Sequence, residues 1–505
     1  MRPPLLDDPQ DLKTILRDLG LLVPVVGVMA ILSLAVPVVF HESFAFLPLL
    51  ITAGTSFGLG AILYFPFRGA GETKLKHGMV IAAFGWLLVA LLGSLPFVLT
   101  AVLARGAGSA FPSLTYFRDP ASAFFESISG YTGTGLTMAA RADLLPHTIQ
   151  WWRSFTEWIG GMGVIVLMLT ILAGPRPGAA TYSLYYAEAR GEKIHPSIVS
   201  TLRTMWWIFL LYTFISVVML WGAGMPIWDA VNHAMTGIST GGFSVTANSI
   251  ASYHSVTIEL VLLPIMIFGA ISFAVHYELM RGNAAILIKD VQTRWLLLLL
   301  AAGSLFLGLE NSLALGPVRA LRDSAFQFVS AMTCTGFQTV DIRSWSDTAK
   351  LVLAAGMVFG GAAGSTAGGI KVIRMIILMK GVQWRFRRII SPRGAIVPFR
   401  IGPTVVDQAE VGQRLEDASL ITFLWLVFLM LGVIVLLHTS PPGFTLSDVI
   451  FEVASAQGNV GLSVGITSPT MPILSKLALC FNMWIGRLEI IPVLMLIRAI
   501  FRGIQ

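Results

Sequence analysis

The run Ser239-Thr240-Gly241-Gly242-Phe243 is a short, polar, glycine-rich stretch between two long apolar segments. Three other runs share its form, in which small or hydroxylated residues precede a glycine and then Phe or Leu. They are Thr132-Gly133-Thr134-Gly135-Leu136, Thr333-Cys334-Thr335-Gly336-Phe337 and Gly458-Asn459-Val460-Gly461-Leu462. We call the four runs the glycine loops, and their central glycines are Gly135, Gly242, Gly336 and Gly461.

Aligning the loops on their central glycines brings upstream polar positions into register. The residue six positions before the glycine always carries a hydroxyl group, and the residue nine positions before it is always polar. The hydroxyl residues are Ser129, Thr236, Ser330 and Ser455, and the polar residues are Glu126, His233, Gln327 and Glu452. A match at three spaced positions indicates a fourfold internal repeat.

The composition predicts a polytopic membrane protein. Of the 505 residues, 55% are hydrophobic and 12% are charged, which is about half the charge of a typical soluble domain. The polar first 18 residues are no signal peptide, so the first apolar run is expected to stay as a span. Two cysteines provide neither a disulfide framework nor a metal cluster. Basic loops explain the net charge of +7, and no nucleic-acid partner is expected.

Hydropathy predicts two classes of helix. A membrane-spanning helix needs about 20 apolar residues, and a shorter apolar segment directly before each glycine loop cannot cross. Such a half-length helix with its loop is typical of a re-entrant segment, because non-helical backbone at membrane depth must line a cavity or be buried in protein. The predicted spans are 19–40, 45–67, 78–103, 149–173, 198–222, 255–280, 294–311, 346–380, 416–438 and 472–500. The predicted re-entrant helices are 120–130, 226–238, 321–332 and 446–457.

The predicted fold is therefore an all-α integral membrane protein. Two extra helices precede four repeats of span, re-entrant pore helix and span, arranged pseudo-symmetrically around one pore. The predicted segments are an N-terminal pair of helices at 1–70 and repeats at 71–175, 176–282, 283–400 and 401–505. Of the 34 Lys and Arg residues, most lie in the two termini and alternate loops, so the positive-inside rule predicts that both termini are cytoplasmic. The basic loop at 380–414 either marks topology alone or docks a partner or anionic lipid.

Four similar loops around one axis would direct backbone carbonyls towards a common centre. Rings of carbonyls replace the hydration shell of an ion and select potassium in channels. Glycine permits the left-handed or alternating backbone that this requires. The hydroxyls of Thr132, Thr240 and Thr335 would add ligands or hold the backbone, and the C-terminal ends of the short helices would favour cations. For a single loop a glycine hinge or packing role stays open, but four matched loops favour an ion path.

These motifs resemble the superfamily of potassium transporters that comprises the Trk, Ktr and HKT groups. The similarity lies in Ser239–Ser244, in Trp152–Ser154 with Trp158–Gly163, and in Gly364–Lys371. The resemblance covers essentially the whole chain. The two extra N-terminal spans fit the Trk group better than the Ktr group, so the chain most resembles the transmembrane subunit of bacterial Trk uptake systems. The resemblance implies that the central glycines determine selectivity. The loops depart from the filter of simple potassium channels, which carries two glycines and a tyrosine in each loop, so strict discrimination against sodium is not implied.

The resemblance also implies a gate and a set of partners. Gly360–Gly369, too rich in glycine for a continuous helix, would be an intramembrane gate, with close helix packing as the alternative. Arg487, a charge deep in the last predicted span, would be a cationic barrier beside it, with an ion pair to a residue such as Glu157 as the alternative. The implied partners are a second copy of the chain, a cytoplasmic nucleotide-binding regulatory subunit of the RCK type, and the lipid bilayer of the bacterial inner membrane.

The sequence thus predicts a potassium-conducting subunit driven by the membrane potential, with K⁺ as cargo and no organic cofactor. A proton- or sodium-coupled symporter is the alternative, and no motif for enzyme catalysis was found. The predicted filter residues are Thr132, Gly133, Thr134, Gly135, Ser239, Thr240, Gly241, Gly242, Thr333, Cys334, Thr335, Gly336, Gly458, Asn459, Val460 and Gly461. The predicted gate residues are Gly360, Gly361, Gly364, Ser365, Thr366, Gly368, Gly369, Lys371 and Arg487.

Overall fold

A computed structural model describes residues 9–104, 110–163, 194–195, 197–392, 395 and 397–502. The regular secondary structure of this part of the chain is helical apart from one antiparallel hairpin, in which β1 (Phe399–Ile401) pairs with β2 (Thr404–Val406). The helices up to the second glycine loop are α1 (Pro9–Leu22), α2 (Pro24–Ser33), α3 (Ala35–Val39), α4 (Phe46–Tyr64), α5 (Leu75–Gly93), α6 (Leu95–Leu103), α7 (Pro120–Thr132), α8 (His147–Met162), α9 (Ile198–Gly222) and α10 (Ile227–Ile238).

The second half of the chain continues the same pattern of long and short helices. Its helices are α11 (Val256–Ala270), α12 (Phe273–Met280), α13 (Ile286–Lys289), α14 (Val291–Leu315), α15 (Pro317–Met332), α16 (Asp347–Val358), α17 (Val372–Ile390), α18 (Gln408–Thr439), α19 (Leu446–Gly458), α20 (Ile473–Arg487) and α21 (Ile491–Arg502). Short 3-10 turns lie at Ser43–Ala45, Phe65–Phe67, Pro112–Arg118, Ala142–Leu144, Ser249–Tyr253 and Ile342–Ser344.

Six segments of the described residues are long and apolar enough to cross a membrane. They are Gln10–Val39, Ser43–Phe67, Leu75–Leu103, Ile198–Gly222, Val291–Leu315 and Gln408–Thr439. In each of the last three segments, no more than 33% of the most apolar 18 residues are buried. Leucine and phenylalanine side chains therefore cover the outside of the bundle. The first helix begins earlier than the predicted 19–40, because its polar start is held against the 70–77 segment by hydrogen bonds of 2.9 Å from Arg17 to the carbonyls of Ala70 and Gly71.

The four predicted re-entrant helices are present as α7, α10, α15 and α19. Pro120 and Pro317 occupy first-turn positions, where a missing N–H costs nothing. Asp119 caps α7 and Thr445 caps α19 by accepting backbone N–H groups. Each helix ends at its glycine loop. A capping side chain or a first-turn proline therefore marks the start of α7, α15 and α19, and the loops mark where all four short helices stop.

Two predicted spans are interrupted where the sequence predicted continuity. The predicted span 255–280 consists of α11 and α12, bent by 110° at Ile271 and Ser272, and Ser272 caps the second piece. The predicted span 472–500 stops at Arg487 and restarts at Ile491, with positive φ at Glu489 and Ile490. Both breaks are stabilised by distant partners. Backbone groups at Gly269 and Ala270 bond the glycine-rich stretch, and Glu489 pairs with Arg374.

The predicted span 346–380 is interrupted as its glycines indicated, by non-helical backbone between α16 and α17. The predicted span 149–173 begins as α8, and residues 164–173 lie outside the described residues. Close helix contacts surround the loops. A methyl group on Gly160 would lie 2.1 Å from the carbonyl oxygen of Tyr131, and one on Gly486 would lie 1.9 Å from that of Gln457.

Candidate functional site

The four glycine loops adopt the same backbone conformation. Every central glycine has a positive φ, between +80° at Gly336 and +97° at Gly461. The residue two positions earlier is also left-handed in every loop, at Gly133 (+65°), Thr240 (+53°), Cys334 (+58°) and Asn459 (+55°). Three of these four are not glycine, although such residues seldom adopt this conformation. The alternation of left-handed residues that the loops were predicted to need is therefore present.

The same hydrogen bond, repeated in all four loops, holds each loop to its own short helix. The residue before each central glycine donates its N–H to the carbonyl of the hydroxyl residue found by the sequence register. The bonds are Thr134 to Ser129 (2.8 Å), Gly241 to Thr236 (2.8 Å), Thr335 to Ser330 (2.9 Å) and Val460 to Ser455 (2.9 Å). The repeat read from the sequence is thus a repeat of structure.

The loops close into a ring. A methyl group on Gly135 would lie 2.2 Å from the carbonyl oxygen of Gly241, and one on Gly242 would lie 2.0 Å from that of Thr335. A methyl group on Gly336 would likewise lie 1.9 Å from the carbonyl oxygen of Val460, and one on Gly461 would lie 2.3 Å from that of Thr134. Each loop therefore touches the next, and the fourth touches the first. A side chain at a central glycine would overlap a neighbouring carbonyl.

The loop hydroxyls hold backbone. Thr132 and Thr333 each donate to a carbonyl one turn back, at 2.7 Å, and the hydroxyl of each lies 2.8 Å from that of the threonine two residues later. Thr240 donates to the carbonyl of Ser239 at 2.7 Å. Of the two roles left open by the sequence, ligand or support, these contacts favour support. That leaves the carbonyls as the groups available to an ion.

The polar residues nine positions before the central glycines form hydrogen bonds to the part of each loop that follows the glycine. Glu126 accepts the N–H of Met138 at 2.6 Å, and Glu452 accepts that of Val464 at 3.0 Å. His233 bonds the Ser244 hydroxyl at 2.9 Å, and the Gln327 amide donates to the Thr339 hydroxyl at 2.9 Å. Both glutamates therefore hold backbone that follows the central glycine of their own loop.

Arg153 joins the first two loops, a role that the sequence analysis missed. Its buried guanidinium lies 2.6 Å from Glu126, donates to the Ser244 carbonyl at 2.7 Å, and lies 4.1 Å from the centre of the Phe243 ring. One turn further on, Glu157 accepts the N–H of Phe243 at 2.9 Å. A buried charge in a span needs a partner, and that rule would have linked Arg153 to Glu126.

A cavity of about 550 Å³ lies on one side of the ring, here called the outer side. All four central glycines line it, together with residues that follow them in each loop, including Thr137, Ser244, Gln338 and Ser463. The loop ends nearest the short helices face away from this cavity. The ring therefore separates the cavity from whatever packs against those inner ends.

The glycine-rich stretch Gly360–Gly369, here called the glycine segment, packs against those inner ends. The Thr366 hydroxyl lies 3.1 Å from that of Thr240, and a methyl group on Gly368 would lie 2.2 Å from the carbonyl oxygen of Gly458. Bonds from Gly360 to Ile370 (3.1 Å) and from Ala362 to Ala270 (2.9 Å) fix its course. Ser365 donates to the Ala362 carbonyl at 2.7 Å, while Gly364 and Gly369 have positive φ.

The predicted basic gate residues lie beside the glycine segment. Arg487 donates to the carbonyls of Thr366 (3.2 Å) and Gly161 (3.1 Å). Lys371 donates to the Ala367 carbonyl. On the same side Arg374, at the start of α17, pairs with Glu489 in the break between α20 and α21. The structure therefore brings together the predicted gate residues Thr366, Lys371 and Arg487.

Comparison with known proteins gives one consistent family. The TrkH family model, described as a cation transport protein, matches residues 50–502. An uncharacterized cation transporter of Methanocaldococcus jannaschii is 33% identical over 97% of this chain and 96% of its own. The Trk system potassium uptake protein TrkH of Halomonas elongata is 32% identical over 97% and 99%. The crystal structure of the potassium transporter TrkH from Vibrio parahaemolyticus superposes with a TM-score of 0.80 at 26% identity, covering 96% of this chain and 98% of that one.

Proposed function

Because this chain belongs to the TrkH family of cation transport proteins, we propose that it is the potassium-conducting transmembrane subunit of a potassium uptake system. The observation that carries the proposal is the closed ring of glycine loops. In this ring, carbonyls of neighbouring loops replace the hydration shell of K⁺. The named activities of the relatives and of the solved structure support potassium as the cargo.

The glycine segment acts as the gate in this proposal. It lies against the inner ends of the second and fourth loops, directly in line with the ring. Arg487 contributes a positive charge on the same side, and a cation in a low-dielectric path repels K⁺ strongly. Lys371 holds the segment at the Ala367 carbonyl, and the Arg374–Glu489 pair joins α17 to the break between α20 and α21.

The proposed assembly extends to orientation and partners. The chain lies in the bacterial inner membrane with both termini in the cytoplasm, as the distribution of Lys and Arg favours. It forms a homodimer, and a cytoplasmic nucleotide-binding regulatory subunit moves the gate. The proposed repeats are 71–175, 176–282, 283–400 and 401–505, after an N-terminal pair of helices at 1–70.

A coupled symporter is the second candidate, and one observation favours it. The helices after the last three loops are all discontinuous, and discontinuous helices form the ion sites of many symporters. Here, however, backbone groups at two of the breaks are bonded to the glycine segment or to α11. This arrangement favours a gate over an ion site at the breaks.

Single-channel recording on the purified protein in planar bilayers tests the proposal. A pore gives discrete unitary currents that reverse near the potassium equilibrium potential. Gly461→Ala tests the ring in the same recordings, because its methyl group would lie 2.3 Å from the Thr134 carbonyl oxygen and should reduce the permeability ratio of potassium to sodium. Slow potassium flux without unitary currents, coupled to protons or sodium, would favour the symporter instead.

A further inference from the structure

A basic pocket lies at one end of α17, far in sequence from the glycine loops. Its cavity, of about 520 Å³, has four basic side chains in its lining and none that is acidic among the described residues. We call it the basic pocket and define it by Arg294, Lys380, Arg387 and Arg400. Trp295, Trp384 and Phe399 provide aromatic surface beside these charges.

The charges of the basic pocket are not neutralised within the described part of the chain. No described carboxylate lies within ion-pair distance of Arg294, Arg387 or Arg400, whereas Arg281 and Arg414 elsewhere pair with Glu278 (3.6 Å) and Glu410 (3.0 Å). The neighbouring acid, Asp290, is engaged as a helix cap that accepts the N–H of Thr293 at 2.7 Å. Three converging guanidinium groups are the usual recognition set for a phosphate.

An apolar groove lies next to the basic pocket and shares one residue with it. The groove, of about 420 Å³, is lined by Leu378, Val382, Phe386 and Leu415, and Trp384 lines both cavities. On α17, residues 380, 383, 384 and 387 form one helical face and residues 378, 381, 382 and 385 form the adjacent face. Val382 is 57% and Phe386 63% exposed, so the groove is open.

The residues around this pair of cavities are typical of a membrane interface. Arg294 and Trp295 belong to the first turns of α14, which is long and apolar enough to span the bilayer. Tryptophan is enriched at the level of the lipid headgroups. From these observations we infer that the basic pocket binds the phosphate of an anionic phospholipid, and that the apolar groove receives its acyl chain. Charge complementarity and the adjoining groove favour a lipid over a soluble phosphate.

Native mass spectrometry of the full-length protein in detergent tests the inference, with phosphatidylglycerol as the probe and phosphatidylcholine as the neutral lipid. The variant R294Q/R387Q/R400Q should lose about a hundredfold in affinity for phosphatidylglycerol, because each basic residue contributes about one kcal/mol near an anionic lipid. The control variant R281Q/K289Q/R414Q removes the same charge outside the pocket and should bind as the wild type does. Both variants should retain the wild-type thermal unfolding temperature.

Three results would overturn the inference. Equal losses in both variants would mean that net charge attracts the lipid. Displacement of phosphatidylglycerol by millimolar glycerol phosphate would mean that the pocket takes a free phosphate and that the groove contributes nothing. Unchanged lipid binding in the pocket variant, together with loss of binding to a regulatory protein subunit, would assign the pocket to an acidic protein surface.

Discussion

A single methyl group at a central glycine would occupy the place of a neighbouring carbonyl oxygen. At Gly242 the distance would be 2.0 Å to Thr335, and real contacts of this kind are essentially never below 3.0 Å. We therefore expect Gly242→Ser to shift the Thr335 carbonyl and to reduce the permeability ratio of potassium to sodium by about tenfold, or ~1.4 kcal/mol. Reversal potentials in mixed solutions measure this ratio.

Gly412→Ser is the matched control, since nothing lies within 4 Å of a methyl group there. A folded Gly242→Ser protein with the wild-type permeability ratio would show that the second loop is not part of the selective ring.

The buried pair of Arg153 and Glu126 gives a second prediction at this scale. Arg153→Met should be destabilised by about 3–5 kcal/mol, because it leaves the Glu126 carboxylate unpaired in a buried site. Glu126→Gln in the same chain should restore a large part of that loss and, through its retained contacts with the first loop, most of the selectivity. Thermal unfolding and reversal potentials are the two measurements. If the second change adds to the damage, the pair does not act as a unit.

The two cysteines, Cys334 and Cys480, should remain thiols. Both are free and buried in the structure. Under non-reducing conditions the intact mass should correspond to two thiols, and N-ethylmaleimide should label them only after denaturation. A mass lower by two hydrogens within one chain would contradict the proposed arrangement of the third loop and the last helices.

At the scale of elements, the glycine segment is the part that should move. Deleting Ala362–Ser365 removes part of the segment and leaves the contact of Thr366 with Thr240 available. This deletion should raise potassium flux in the absence of any partner, while the permeability ratio stays that of the wild type, because the ring is untouched. Flux of ⁸⁶Rb⁺ into liposomes is the measurement.

Arg487→Ala should also raise flux, by about tenfold for a barrier lowered by ~1.4 kcal/mol. Together the two changes should raise flux by less than the product of their separate effects, since Arg487 contacts Thr366 in the segment. A deletion that assembles normally and leaves flux unchanged would reduce the segment to a packing seam.

The short helices and their loops could be predicted from the sequence because their signals are local and occur four times. Caps, glycines and apolar length are all read within a few residues. The bend at Ile271 and Ser272 could not be predicted, because the carbonyls of Gly269 and Ala270 find their partners about a hundred residues later, in the glycine segment. The same applies to the break at Glu489, whose partner is Arg374. Hydropathy shows whether a segment is apolar, but it does not show which distant groups form hydrogen bonds with its backbone.

At the scale of the whole molecule, the proposed function makes the membrane potential the only driving force. A potential of 100 mV is worth about 2.3 kcal/mol per charge, which corresponds to roughly 50-fold accumulation of potassium. Liposomes holding the open deletion variant should reach that ratio under an imposed potential, and an added proton gradient should not change it. Accumulation beyond the electrical limit would require coupling to a second ion.

The contact that closes the ring has a consequence for how the protein is made. Asn459 donates to the Thr134 hydroxyl at 3.0 Å across 325 positions of sequence, and Gly461 lies against the Thr134 carbonyl. While the ribosome is still translating the third repeat, the fourth loop does not yet exist. The polar backbone of the first loop then lacks one of its neighbours in the ring. The proposed selective ring is therefore completed last, and a chain released before Leu446 carries three loops and no closed ring.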